Sequence, residues 1–294
     1  MTTQKIGFIG LGLMGSAMVG RLQDKGYSLT VLGNRDRTGI EAALARGATE
    51  APSARAVTEA SDIVMFCMGT SAHVESRVYG KDGVLAGLRT GQIVIDFGTS
   101  LPGSTQTIGA DVAAEGATYL DAPLGRTPAH AKDGLLNIMC AGDAAAFEQV
   151  RPVLEVLGEN VFHLGPLGTG HKIKLINNFF AMTTACAMSE AFAMADLAEV
   201  PRDQLFAVMS AGPLRSGMME FIRNYATEGK IDLAFSVANA AKDVGYYREM
   251  AEGLGARSRM SGAANGALTE ARDNGFADQM VPEMVDYLSR NLKA

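Results

Sequence analysis

The sequence predicts an α/β protein, with an N-terminal domain built on a parallel sheet and an all-helical C-terminal domain. Three observations predict it. A short apolar run, Lys5 to Gly10, passes directly into a glycine turn, GLGLMG at Gly10 to Gly15, and then into a helical pattern. Strand-like and helix-like segments alternate from there to about residue 164, the order that builds βαβ units. Beyond Pro201 almost every segment carries helical periodicity. The first domain is therefore expected over residues 1–164 and the second over 165–294.

A chain of 294 residues can hold two domains and bury a substantial core, and its 47% hydrophobic and 20% charged content are those of a folded globular protein. The net charge of -6 and the lack of any Lys/Arg-rich run exclude a broad nucleic-acid surface, so an anionic ligand must be met locally. Cys67, Cys140 and Cys186 lie far apart in apolar surroundings, without a CxxC pair, which fits free thiols in a reducing cytoplasm. The N-terminus enters a strand without signal-type regions. Ala181 to Ala198 is interrupted by Glu190 and Asp196, so a cytoplasmic protein without a membrane partner is expected.

Each element follows from local pattern. In a strand, turn and helix context, the GxGxxG glycines allow a tight turn and let a pyrophosphate approach the backbone at a helix N-terminus. Gly10, Leu11, Gly12, Leu13, Met14 and Gly15 are thus candidate contacts of a dinucleotide cofactor, and the domain is read as Rossmann-type. The second strand, Ser28 to Leu32, ends in Gly33, Asn34, Arg35, Asp36 and Arg37. An acid at the strand end would grip the 2′-hydroxyl of NAD, whereas glycine followed by arginine leaves room for a 2′-phosphate. NADP(H) is accordingly favoured and NAD(H) is possible, with Asn34 and Arg35 as contacts and Asp36 turned away. Helix Gly39 to Arg46, strand Ile63 to Met68, helix Ala72 to Tyr79, strand Gln92 to Phe97 and helix Ser104 to Glu115 follow. Ligands of parallel sheets lie beyond the carboxyl ends of the strands, which places Met68 and Thr99 at the cofactor.

The segment Tyr119 to Arg126 follows, in which Pro123 and Gly125 mark a turn at the strand end, with Arg126 and Thr127 on it. The Arg126 guanidinium, with the Gly125 and Thr127 backbone, makes a clamp for a carboxylate or sulfonate. Strand Leu135 to Ala141, helix Ala144 to Leu157 and strand Val161 to Leu164 close the domain. A loop with Gly165, Gly168 and Gly170 feeds an apolar run from Ile173 to Val200, stopped by Pro201, which reads as one long buried helix. Lys174, Asn177 and Asn178 share one face of its first turns. Asparagine is a poor helix former, so two in succession suggest a role. Helices Asp203 to Ser210, Met218 to Thr227, Ala234 to Glu252 and Ala263 to Asn274 complete the chain.

Four motifs, GLGLMG, DAPLGRT at 121–127, GTGHKIKLINN at 168–178 and AAKDVG at 240–245, together resemble the β-hydroxyacid dehydrogenase family over nearly the whole chain. The resemblance implies a fold like that of 6-phosphogluconate dehydrogenase. It implies that Lys174 is the catalytic acid/base, that Asn178 orients the substrate, and that Lys242 lies near cofactor and substrate. Asn177 beside Asn178 joins the substrate-binding candidates. The second motif usually reads Asp-x-Pro-Val-Ser-Gly-Gly in that family, and this chain has Gly125, Arg126 and Thr127 instead. In that departure it looks like the sulfolactaldehyde reductase branch, whose loop arginine meets a sulfonate, although those relatives usually carry an acid at the Gly33 position and use NADH.

Hydride transfer between NAD(P)H and a small anionic aldehyde or hydroxy acid is the expected reaction, with Lys174 moving the proton. A free lysine, with a pKa of about 10.4, is a poor base at neutral pH, so burial and nearby cations such as Lys242 are expected to lower it. Succinic semialdehyde and other short acids are the alternative substrates. Imine reduction is disfavoured by Lys174, and a non-catalytic dinucleotide-binding protein is disfavoured because both lysines and the asparagine pair are present. Small residues along the long helix, and the resemblance, imply a homodimer or homotetramer assembled through the helical domain.

Overall fold

The computed structural model describes residues 4–34 and 36–292. Six parallel strands form the main sheet in the order β3-β2-β1-β4-β5-β6: β1 (Ile6–Ile9), β2 (Leu29–Leu32), β3 (Thr49–Ala51), β4 (Ile63–Phe66), β5 (Ile93–Asp96) and β6 (Thr118–Asp121). Their side chains alternate between two cores. Ile6 and Phe8 of β1, Ile63 and Met65 of β4, and Ile93 and Ile95 of β5 pack on one face with Met18 and Leu22 of helix Leu13–Asp24. Ile9, Val64, Phe66 and Val94 pack on the other, against Val57, Val78 and Ile108. Burial of both faces is why these strands read as unbroken apolar runs instead of alternating ones.

Sequence order reverses between β1 and β4, the switch point at which open α/β sheets bind ligands, and the glycine turn follows β1 there. Several short elements of this part of the chain escaped the sequence pattern. Strand β3 and the helices Ala54–Glu59 and Pro128–Asp133 are too short to establish a period.

The segment Tyr119 to Arg126 holds two short strands on either side of Pro123. β6 stops at Asp121, whose backbone bridges to Ala141, and the chain then pairs as β7 (Leu124–Gly125) in a second sheet with β8 (Leu136–Cys140) and β9 (Gly158–His163). β7 is antiparallel to β8, and β8 is parallel to β9. This small sheet carries the Gly125–Thr127 loop. β9 starts directly at the end of helix Ala144–Leu157, ahead of the expected Val161.

The long helix spans Thr169–Leu197, starting before the expected Ile173 and ending before Val200. Its end is set by Glu199, in the left-handed region with φ 59°, which lets Val200 N donate back to Ala195 O. Its start is set by Asp121, whose carboxylate accepts from Gly168 N and His171 N at 2.7 Å each. A Cβ on Gly170 would run into Met139 O, so only glycine lets this turn lie so close to the sheet. The chain consequently divides into two compact units at 174/175, inside the helix and later than the expected 164/165 boundary. The first helical turn belongs to the sheet unit because its donors end on β6.

In the second unit the rest of the long helix packs with Gly217–Glu228, Val237–Gly253, Arg259–Ala271 and Met284–Asn291 around Phe192, Ile222, Val244, Leu268 and Val285. The last of these helices was not anticipated, and two others begin a few residues from their expected starts. Among the described residues no helix is long and apolar enough to cross a membrane.

Asp121 is fully buried, and burial raises its carboxyl above the usual range although the nearby His171 and the two helix N–H donors oppose that shift. Removing it would strand two buried donors at about 1–3 kcal/mol each. Asp121→Ala should therefore lose about 2–6 kcal/mol of stability in urea unfolding, and Asp121→Asn, which keeps one acceptor, should lose less. Equal and small losses would show that the cap contributes little.

Candidate functional site

The cofactor end is built where β1 meets the glycine turn. Gly10 has φ 102°, and a side chain on it would collide with Cys67 O, while one on Gly15 would collide with Gly10 O. Gly12 differs, since a Cβ there would meet nothing within 4 Å. Helix Leu13–Asp24 starts at Gly12 without a side-chain cap, and Leu13 is 75% exposed. Uncapped helix N–H groups beside open space fit the pyrophosphate of a dinucleotide.

Met68, half-buried after β4, belongs to the same turn, because its sulfur lies 2.8 Å from where a Gly10 Cβ would stand. Thr99 is half-buried beyond β5, and Asn34 is exposed beyond β2. Arg35 lies outside the described residues. Asp36 Oδ1 accepts from Thr38 N at 2.9 Å, at the start of helix Thr38–Leu44.

The loop after β7 brings Gly125, Arg126 and Thr127 together. A Cβ on Gly125 would stand 3.2 Å from the Asn137 side chain on β8. Thr127 Oγ1 pairs with His130 Nδ1 at 2.7 Å. Arg126 has φ 77°, a conformation that costs a non-glycine residue about 1 kcal/mol, at a place where the family pattern has glycine. Its Nη1 donates to Leu135 O at 2.7 Å and to Glu159 Oε2 at 2.5 Å. Glu159, on β9, was not visible as a partner in the sequence.

Lys174 is half-buried one turn beyond the Asp121-bound start of the long helix. In the first turn His171 is wholly buried, with Nδ1 2.7 Å from Thr105 Oγ1 and Nε2 3.8 Å from Asp96 Oδ2. In the helical unit Asn178 is 6% exposed and donates through Nδ2 to Asp243 Oδ2 at 2.6 Å, while Asn177 Nδ2 donates to Asn178 Oδ1 at 3.2 Å. Lys242 Nζ lies 2.9 Å from Asp243 Oδ1 and 5.4 Å from the Tyr246 ring centre. Asp243 thus fixes both Asn178 and Lys242. Sequence reasoning kept Lys242 and passed over its neighbour, although an acid beside a lysine in an otherwise apolar helix turn was a usable signal. Among the described residues no group of three or more His, Cys, Asp or Glu side chains is placed to hold a metal ion.

Residues 5–165 match the family described as the NAD binding domain of 6-phosphogluconate dehydrogenase, and residues 168–288 match the NAD-binding region of NADP-dependent 3-hydroxyisobutyrate dehydrogenase. The chain belongs to the β-hydroxyacid dehydrogenase family. It is 30% identical to the 3-sulfolactaldehyde reductase of Escherichia coli (strain K12) over 93% of this chain and 92% of that one. To the 2-hydroxy-3-oxopropionate reductase of the same organism it is 31% identical over 85% of each chain. The 3-hydroxyisobutyrate dehydrogenase structure of Mycobacterium tuberculosis with L-serine superposes with a TM-score of 0.88 at 25% identity, covering 100% of both chains. This β-hydroxyacid dehydrogenase is thus an NAD(P)-dependent oxidoreductase, and its glycine turn lies within the segment that matches the NAD binding domain.

The Arg126 backbone separates stability from binding. Arg126→Gly relieves the left-handed strain and loses an exposed ion pair worth at most about 1 kcal/mol. Its thermal unfolding midpoint should equal or exceed that of the wild type, while Arg126→Ala, which keeps the strain, should melt lower. An alanine variant as stable as the glycine variant would mean that the backbone at 126 is unstrained.

Proposed function

We propose that this enzyme reduces a small aldehyde bearing an anionic tail, with 3-sulfolactaldehyde the best-fitting substrate and NADPH, or alternatively NADH, the reductant. The observation that carries this reading is the Gly125–Arg126–Thr127 loop. It sets a guanidinium, held by the Leu135 carbonyl and Glu159, where the family pattern has glycine, and the next residue carries the Thr127 hydroxyl; both groups suit a sulfonate or carboxylate. The 30% identical sulfolactaldehyde reductase supports the same substrate.

When bound, the nicotinamide supplies the hydride or takes it back. Lys174 delivers the proton to the oxygen that gains negative charge, and removes it in the oxidative direction. Asn178 holds that oxygen with the amide proton that Asp243 leaves unused. Asp243 also keeps the Lys242 ammonium in place. Arg126 and Thr127 grip the tail, which requires the guanidinium to share or release Glu159.

Succinic semialdehyde is the second reading, because a carboxylate meets the same planar donor pair. Initial rates on 3-sulfolactaldehyde and succinic semialdehyde, with NADPH and NADH, should show a sulfonate preference that Arg126→Ala abolishes. Similar weak rates on both would sink the sulfonate assignment. Lys174→Ala should lose about 10²–10⁴-fold in kcat while still binding the dinucleotide, and retained turnover would remove Lys174 from the proton path.

The protein assembles as a homodimer or homotetramer through its helical unit. Supporting this is an apolar groove of about 440 Å³ lined by Phe179, Phe180, Met188, Leu214 and Met260, with Phe180 72% and Met260 61% exposed. Phe180→Asp should halve the mass seen by light scattering at micromolar concentration, and an unchanged mass would place the interface elsewhere. Free Cys67, Cys140 and Cys186 fit a cytoplasmic setting.

A further inference from the structure

Gly33 has no side chain, yet the end of β2 is not without an acid. Parallel pairing sets Val31 of β2 opposite Glu50 of β3, and the Glu50 side chain reaches forward over Gly33. A Cβ added to Gly33 would collide with Glu50 Oε1 and stand 2.8 Å from Arg37 Nη1. Glu50 and Arg37 are joined by two parallel hydrogen bonds, Nη1 to Oε1 at 2.7 Å and Nη2 to Oε2 at 2.9 Å. Glu41 lies more loosely, 4.0 Å from Arg37 Nε. The pair remains accessible, with side chains 44% and 32% exposed.

The strand end after β2 is where this kind of fold reads the 2′ substituent of the adenine ribose. A carboxylate there accepts from a 2′-hydroxyl, and a guanidinium there receives a 2′-phosphate. Here both groups occupy the space above one glycine and are bound to each other. A 2′-hydroxyl can bond to Glu50 with the pair intact. A 2′-phosphate must draw Arg37 away and then sit beside an uncompensated carboxylate.

We propose that Glu50, delivered from β3 in place of an acid at Gly33, sets the balance between NADP(H) and NAD(H) by holding Arg37 as its counter-ion. Arg37 adds a cation for the phosphate to the expected Arg35 contact, and Glu50 limits its reach. The pair keeps both cofactors usable, and neither residue takes part in the hydride or proton step.

The test is binding, which does not depend on finding the substrate. The chain has no tryptophan, so titration calorimetry with NADP⁺, NAD⁺ and 2′,5′-ADP serves better than intrinsic fluorescence. Removing one charge a few ångströms from a phosphate should tighten NADP⁺ and 2′,5′-ADP about tenfold in Glu50→Gln, with NAD⁺ unchanged or weaker. Arg37→Ala should weaken NADP⁺ and 2′,5′-ADP but not NAD⁺, and in the double variant the gain from Glu50→Gln should vanish. A ratio of NADP⁺ to NAD⁺ affinity that stays within about twofold of wild type in Glu50→Gln would overturn the proposal. So would a gain that survives the loss of Arg37. Because these titrations need no turnover, an error in the aldehyde assignment would leave their result standing.

Discussion

A carboxylate without solvent contact joins two of this protein's motifs. Asp121 opens the DAPLGRT segment, and its two oxygens hold Gly168 N and His171 N at the start of the lysine helix. Helix N-termini present several donors without partners and favour negative charge, so one buried acid satisfies both needs. The Arg126 loop lies five residues after Asp121 in sequence and Lys174 lies one turn after His171, which ties their placement to a single interaction. The His171 contacts to Thr105 and Asp96 add a second tie within the same unit, linking the helix to β5.

Much of the sheet unit was legible because both of its faces are buried. Residues from β1, β4 and β5 fill cores on each side, and only long apolar runs separated by amphipathic helices give that arrangement. The glycine turn was legible for a different reason, since Gly10 and Gly15 lie where a Cβ would strike backbone. β3 was not legible, because three residues with two exposed positions carry no period. Losing β3 meant losing Glu50, and an absent acid at Gly33 was then the natural conclusion.

The side chains that organise the site were the least visible part. Asp243 meets Asn178 across 65 positions of sequence, Glu159 meets Arg126 across 33, and Glu50 meets Arg37 across 13. Residue type and spacing single out lysines and arginines, but their partners are chosen by strand pairing and helix packing. Arg37, Arg126 and Lys242 are each paired with an acid in a chain of net charge -6. The positive charges are therefore held in defined directions instead of ranging through solvent, at the cost of having to share or exchange a partner when an anion arrives.

The small β7-β8-β9 sheet gives one more result. The loop that bears Arg126 hangs from its own three strands, and Arg126 stands in the left-handed region within it. Positions 125 to 127 can therefore change without disturbing the glycine turn, which rests on β1. Such a separation lets side chains on this loop be exchanged one by one while the glycine turn stays constant, so two parts of one scaffold can vary at different rates.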